Sequence, residues 1–306
     1  MNILKIISQK GELVLSDVNV SSIKPAEADE SEWMPFALSG FDPNSQATTQ
    51  DAVSVIDMDG QHTISSRLNQ KPLVFTVSFS GEYMENGVII GGGVAKMHEY
   101  RRAIIKYIPL NEIIECEYNN GNDVYYINAR LTEIPVFNTV GSLSSATFTL
   151  IADYPFWHQT FTIENMQLSG IASINYFDIE TKGDLISPVN LQITGITEPE
   201  AGWEGTFIAI TSTIGRYAED IESTGLQITR RIKAGEKLII NSGFNNQYFV
   251  NRVDVSGKVS LAMNYVKHSR NTLLHNYPGV TRWAFLTLGG GVYSANITCE
   301  NLYSGV

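Results

Sequence analysis

The chain has 306 residues, 43% of them hydrophobic and 17% charged, with 25 Gly and 10 Pro, a globular composition with room for two domains that excludes a disordered or collagen-like protein. Thirty-two acidic residues against 21 basic give a net charge of −11. That balance repels phosphate backbones and anionic lipid headgroups, so neither specific nucleic-acid binding nor membrane insertion is expected.

The opening MNILKIISQKGELVL is broken by Lys5 and Lys10 and lacks the apolar core and cleavage site of a signal peptide. No window approaches the ~20 apolar residues of a membrane span, so the expectation is a protein made in the cytoplasm without an export signal. Residues 1–20 alternate weakly and predict one or two short strands. The run KPAEADESEW carries four carboxylates, Glu27, Asp29, Glu30 and Glu32, and reads as an exposed loop. From Ala37 to Gln70 the chain is rich in Ser, Asp, Asn, Gln and Gly, with Val53, Val55 and Ile56 as apolar anchors, which predicts a long hairpin or excursion.

LVFTVSF places Leu73, Phe75, Val77 and Phe79 on one face of a strand by the two-residue period. After Gly91-Gly92-Gly93, the segment AKMHEYRRAIIKYI repeats Met97, Tyr100 or Arg101, Ile104 and Ile108 at steps of three and four. This is an amphipathic helix over about residues 95–108, stopped by Pro109. EIIECEY and VYYINARL flank the five-residue connection Asn119–Asp123, whose Asn and Gly tolerate positive φ, and so predict a β-hairpin. SSATFTLIADYPFW alternates Ala146, Phe148, Leu150 and Ala152 before Pro155 ends the strand.

Beyond Trp157 the pattern is almost purely β: FTI, PVNLQITGI, GTFIAITST, GLQITRRI, EKLIINS, YFVNRVDV, VSLAMNYV, RWAFLTL and YSANITCENLY, with glycine-containing connections. Short strands at such spacing predict a β-sandwich or jelly roll. The boundary falls within 155–185, where NMQLSGIASINYFDIETKGD reads as a linker or an opening strand. The expected domains are 1–158, a β-sandwich-like domain with one helix, and 159–306, an all-β sandwich.

Motifs for chemistry are sparse. His62, His98, His158, His268 and His275 show no HxH, HxxxH or HExxH spacing, so no metal ligands are assigned. No nucleophile elbow, phosphate-binding loop or dinucleotide fingerprint occurs, and the glycines at 91–93 and 289–291 read as turns. No catalytic or cofactor-binding residue is assigned and no cofactor is expected; a hydrolase would need two facing carboxylates from distant strands, which leave no local mark. Cys116 and Cys299 sit in alternating apolar runs as small buried hydrophobes, without a disulfide framework. The basic clusters Arg101, Arg102 and Lys106 on the helix, and Arg230, Arg231 and Lys233 in a strand, read as solvated faces. The rival reading is a carbohydrate-binding sandwich, with Trp203 and Glu204, or His268, Arg270 and Asn271, as a sugar platform. Trp203 reads rather as packing at a strand end and Trp283 as core.

The order of these features resembles the distal tail proteins of siphophages, long-tailed bacteriophages. The resemblance runs through LVFTVSF, the helix AKMHEYRRAIIKYI, the hairpin IIECEYNNGNDVYYINARL and the junction Asp153, Pro155, Phe156, Trp157. It continues in AGEKLIINS, WAFLTLGGGVYSANI and the last strand with Tyr303; Leu288-Gly289-Gly290-Gly291 stands where the family often has a tighter proline-glycine turn. The resemblance implies a non-enzymatic virion component of the tail tip or baseplate that serves host attachment. It implies a homohexameric ring whose first domains surround the tail channel and whose galectin-like second domains project outward without implied sugar binding. It further implies as partners the tail tube protein, a tail-associated hub protein and receptor-binding or baseplate proteins. Such a ring closes by a contact between two different patches. The hairpin edge around 113–131 or the excursion around 37–70 is placed to complete a neighbour's sheet, and an anionic lumen would let DNA pass without sticking.

Overall fold

The computed structural model describes residues 2–18, 20–44, 48–54, 61–68, 70–85, 88–169, 173–198, 207–213, 223–244, 247–268, 274–287 and 289–306. The chain divides into two compact units, Met1–Trp157 with Ser304–Val306, and His158–Tyr303. It is mainly β, and α1 is the only α-helix among the described residues.

The first unit contains β1 (Ile3–Ser8), β2 (Gly11–Ser16), β3 (Ser22–Pro25), β4 (Glu32–Trp33), β5 (Phe36–Ser39), β6 (Thr48–Ser54), β7 (Gln61–Leu68) and β8 (Lys71–Ser80). There follow β9 (Glu82–Glu85), β10 (Val88–Gly91), α1 (Gly93–Tyr107), β11 (Ile113–Asn119), β12 (Val124–Leu131), β13 (Asn138–Val140) and β14 (Leu143–Ala152). One antiparallel run is β4-β3-β2-β1-β11-β12. A second, β5-β8-β14 with β13, joins it where Arg130 and Leu131 pair with Ile151 and Leu150. The period-two pattern is why these strands hold: Leu73, Phe75, Val77 and Phe79 of β8 and Ala146, Phe148, Leu150 and Ala152 of β14 are all buried. Phe75 and Phe148 are direct cross-strand partners, with stacked rings 5.4 Å apart. Burying each of the Leu, Val and Phe side chains stabilises the unit by roughly 1.5–3 kcal/mol.

Helix α1 buries Met97, Tyr100, Ile104 and Tyr107, a stripe at steps of three and four. Its last turn closes with the Ile108 amide donating to Ile104 O at 3.1 Å, ahead of Pro109. The helix starts against the β8–β9 corner at Gly81, where an added Cβ would stand 1.9 Å from Gly93 O. The hairpin loop between β11 and β12 is four residues, one fewer than expected, because Asn119 pairs with Val124. Gly121 takes φ 97°, and the Asn119 and Asn120 side chains accept the loop amides at 2.7–2.9 Å. The expected excursion contains the hairpin β6–β7, with a register shift between Asp51 and Ala52. Val53 lies in it, opposite His62; Val55 and Ile56 lie outside the described residues.

The second unit contains β15 (Trp157–Leu168), β16 (Ser173–Thr181), β17 (Ser187–Thr197), β18 (Phe207–Thr213), β19 (Ser223–Ile228), β20 (Lys237–Ser242) and β21 (Tyr248–Val253). It ends with β22 (Val259–Leu261), β23 (Val266–His268), β24 (His275–Asn276), β25 (Gly279–Thr287) and β26 (Val292–Tyr303). One sheet runs β15-β26-β17-β20-β21-β22, with β24 on the start of β17. The other runs β16-β25-β18-β19-β23. Leu191, Ile193, Ile297 and Cys299 of the first sheet share one core with Leu226, Ile228, Trp283 and Phe285 of the second. This is the expected galectin-like sandwich.

One reading left open resolves to a strand, and two others change. Within NMQLSGIASINYFDIETKGD, SINYFDIET is the edge strand β16, paired along its whole length with β25. Arg230, Arg231 and Lys233 are not in a strand: β19 ends at Ile228, and Thr229 turns to donate its amide and hydroxyl to Tyr265 O. VSLAMNYV forms not one strand but β22, the 3₁₀ turn Met263–Tyr265 and the start of β23.

Candidate interaction surfaces

The residues weighed for sugar binding form no described platform. Trp283 is fully buried, its indole N–H donating to Asn276 Oδ1 at 2.8 Å, while Asn276 Nδ2 reaches Cys299 Sγ at 2.8 Å. Trp203, Glu204, Arg270 and Asn271 lie outside the described residues, and His268 is placed by its backbone in β23 alone. Among the described residues, no group of three or more His, Cys, Asp or Glu is set to hold a metal ion, and no helix is long and apolar enough to cross a membrane. Cys116 and Cys299 are free thiols, and burial pushes both up to about 12. Of the two glycine runs, Gly289 and Gly290 make a turn between β25 and β26 with φ 75° and 73°, whereas Gly91 ends β10 and Gly93 begins α1, with φ 138° and 58°.

The junction residues are structural. Trp157 is buried, its indole donating to Pro43 O at 2.8 Å, and Asp153 accepts from Arg130 Nη2 and Gln70 Nε2. Lys71, which sequence reasoning missed, is buried beside them, its Nζ 5.8 Å from the Trp157 ring centre and 3.5 Å from Ser304 O. Burial pushes its pKa down to about 8, against the opposing pull of Asp42. Val306 N donates to Asn44 Oδ1 at 2.7 Å, so the last residues close over the first unit.

What remains available is surface. Around α1 of the first unit, Val88, Ile89, Ile90 and Val94 are exposed, as are Val140 and Leu143 where β13 turns into β14. The backbone brings these segments together: Leu143 pairs with Ser80, and the Gly81 amide donates to Ser142 O at 2.8 Å. Along α1, His98, Arg102 and Lys106 are exposed, whereas Arg101 lies over the Phe137 ring at 4.4 Å and Lys96 pairs with Glu99 at 2.8 Å. The helix cluster is therefore a solvated stripe in part and a packing element in part. Glu27, Asp29, Glu30 and Glu32 are all exposed, as expected of that loop. In the second unit the short edge strand β22 exposes Val259 and Leu261, with Tyr248, Val255 and Met263 nearby in sequence or pairing. On β16, Tyr176 is exposed beside Arg282, whose guanidinium grips Asp178 through two bonds of 2.8 and 2.9 Å. That pairing holds the Asp178 carboxyl below its ordinary range. Chemically these surfaces offer edges, apolar contacts and opposed charges, the ingredients of assembly.

This arrangement, a helix-bearing β unit followed by a galectin-like sandwich, is a fold that solved structures share. No protein-family model and no curated protein sequence matches the chain. Among solved structures it is similar to the Dit protein of phage SPP1, described as a paradigm of the hub adsorption apparatus in phages that infect Gram-positive hosts. The TM-score is 0.60 at 8% identity, covering 87% of this chain and 93% of that one. It is also similar to a chain of the phage P2 baseplate in its activated conformation, with a TM-score of 0.50 at 9% identity and full coverage of both chains. At such identities the shared property is the fold.

Proposed function

We propose that this chain is a structural, non-enzymatic component of the tail tip of a phage or phage-derived tail. In this reading it forms a ring that connects the tail tube to the baseplate and receptor-binding apparatus. The observation that carries the reading is the likeness to the SPP1 Dit protein across 87% of this chain and 93% of that one, which takes in both units. The ring holds six copies: the helix-bearing unit makes the copy-to-copy contacts around the channel, and the sandwich offers its outer faces to baseplate or receptor-binding proteins. The net charge of −11 suits a conduit, since an anionic wall repels passing DNA. Its action is recognition and assembly, and its place is the virion. Negative-stain images of the purified full chain test this directly. Six-fold rings with an open centre are expected; dispersed single particles at every concentration, or turnover of a cell-wall substrate, would overturn it.

A further inference from the structure

We infer that copies of this chain meet through opposed charges: the outward stripe of α1 on one copy docks on the exposed acidic loop Glu27–Glu32 of another. The inference rests on the assembly reading above and deepens it by naming the surfaces. Lys96, Arg101, Arg102 and Lys106 fall within eleven residues of a chain whose net charge is −11, against one acidic residue, Glu99, in the same stretch. His98, Arg102 and Lys106 recur at steps of four, which lines them up along one exposed side of the helix over about 12 Å. Neither Arg102 nor Lys106 makes an ion pair among the described residues.

The acidic loop is its complement. Glu27, Asp29, Glu30 and Glu32 crowd into six residues, all exposed, and none makes an ion pair among the described residues. The loop is nonetheless shaped: the Ala26 amide donates to Lys10 O at 3.0 Å, the Ala28 amide to Pro25 O at 3.1 Å, and Trp33 at its end packs edge-on against Tyr83 at 4.9 Å. Four like charges held together in this way repel one another until a cationic surface meets them. Glu32 lies near enough to Tyr107 to help raise that hydroxyl's pKa, behind the larger effect of burial, so the loop ends beside the last turn of α1 in the same copy. Both charged faces still point outward with no bridge between them. Two unlike patches on one unit let each copy engage one neighbour through its helix and another through its loop, the head-to-tail contact that a closed ring needs. A nucleic acid meeting the stripe would face the neighbouring carboxylates, and a membrane surface of anionic lipid would face the same repulsion.

The test is a charge swap on the full chain. One variant carries Arg102→Glu with Lys106→Glu, a second carries Glu27→Lys with Glu30→Lys, and circular dichroism checks that each folds. A neutral pair, Arg102→Gln with Lys106→Gln, stands in should reversal impair folding. Sedimentation across protein concentration is expected to show each variant assembling at a concentration at least about tenfold higher than the parent, about 1.4 kcal/mol per contact. An equimolar mixture of the two reversed variants is expected to regain assembly, because each supplies the charge the other lacks. The loss should shrink in high salt as the parent itself weakens. Variants that assemble like the parent, or a mixture that stays dissociated, would overturn the inference while leaving the ring reading intact. A parent chain that never self-associates would overturn both.

Discussion

Replacing Lys71 with Met isolates the cost of a buried charge. The Lys71 side chain is fully buried at the start of β8, with its Nζ 3.5 Å from Ser304 O and the Trp157 ring 5.8 Å away. Burial lowers its pKa from 10.5 to about 8, with Asp42 pulling the other way. Between those values the unfolded chain binds the proton more tightly than the folded protein, so stability rises with pH from about 8 and levels off above 10.5. At about 1.36 kcal/mol per pKa unit, a difference of about 2.5 sets a ceiling near 3 kcal/mol, and screening reduces this to roughly 1–3 kcal/mol. Lys71→Met keeps the aliphatic stem and removes the ammonium. Urea unfolding followed by tryptophan fluorescence, run at pH 7, 8.5 and 10.5, should show the variant more stable by roughly 1–3 kcal/mol at pH 7 and level with the parent at pH 10.5. The tyrosines that titrate in this range cancel in the difference. A variant less stable than the parent at pH 7, or a difference independent of pH, would refute the reasoning.

Three further outcomes follow from single residues. Glu300 of β26 is buried, and burial pushes its carboxyl up to about 7 from 4.5. The folded state therefore holds this proton more tightly, and the stability it contributes below pH 4.5 is lost as pH rises through 7. Glu300→Gln should match the parent at pH 4 and exceed it by roughly 1–2 kcal/mol at pH 8, read by thermal unfolding at each pH. Asn276→Ala orphans the buried Trp283 indole and opens a small void, so a loss of about 2–4 kcal/mol is expected in urea unfolding, with a changed near-ultraviolet spectrum. Gly81→Ala drives a Cβ to 1.9 Å from Gly93 O and must displace the start of α1, whereas Gly40→Ala meets open space. The first should lower the melting temperature by several degrees more than the second, which carries only the strain of φ 66°.

Much of the fold was legible because its strongest signals are local. LVFTVSF and SSATFTLIA alternate without interruption, the α1 stripe keeps a helical period up to Pro109, and Asn119–Asp123 carries its own turn chemistry. β16 was harder to read, since an edge strand leaves Ile174 and Tyr176 exposed among Asn, Asp and Glu, and so fits a linker as well as an opening strand. The end of β19 was misread because Thr229 turns to meet Tyr265, 36 residues further on. The same distance rule hid the Asn276–Trp283–Cys299 contacts and the burial of Lys71, which rest on partners from remote strands. The acidic loop and the basic helix were each visible as composition; that both lie exposed and unbridged on one unit is a tertiary fact.

Light-scattering mass of the full chain, measured from low to high micromolar concentration, bears most directly on whether assembly is what this protein is for. The account predicts a species six times the 33.9 kDa chain that grows with concentration and dissociates in high salt. A mass of one chain across the whole range, unchanged by salt, would contradict it.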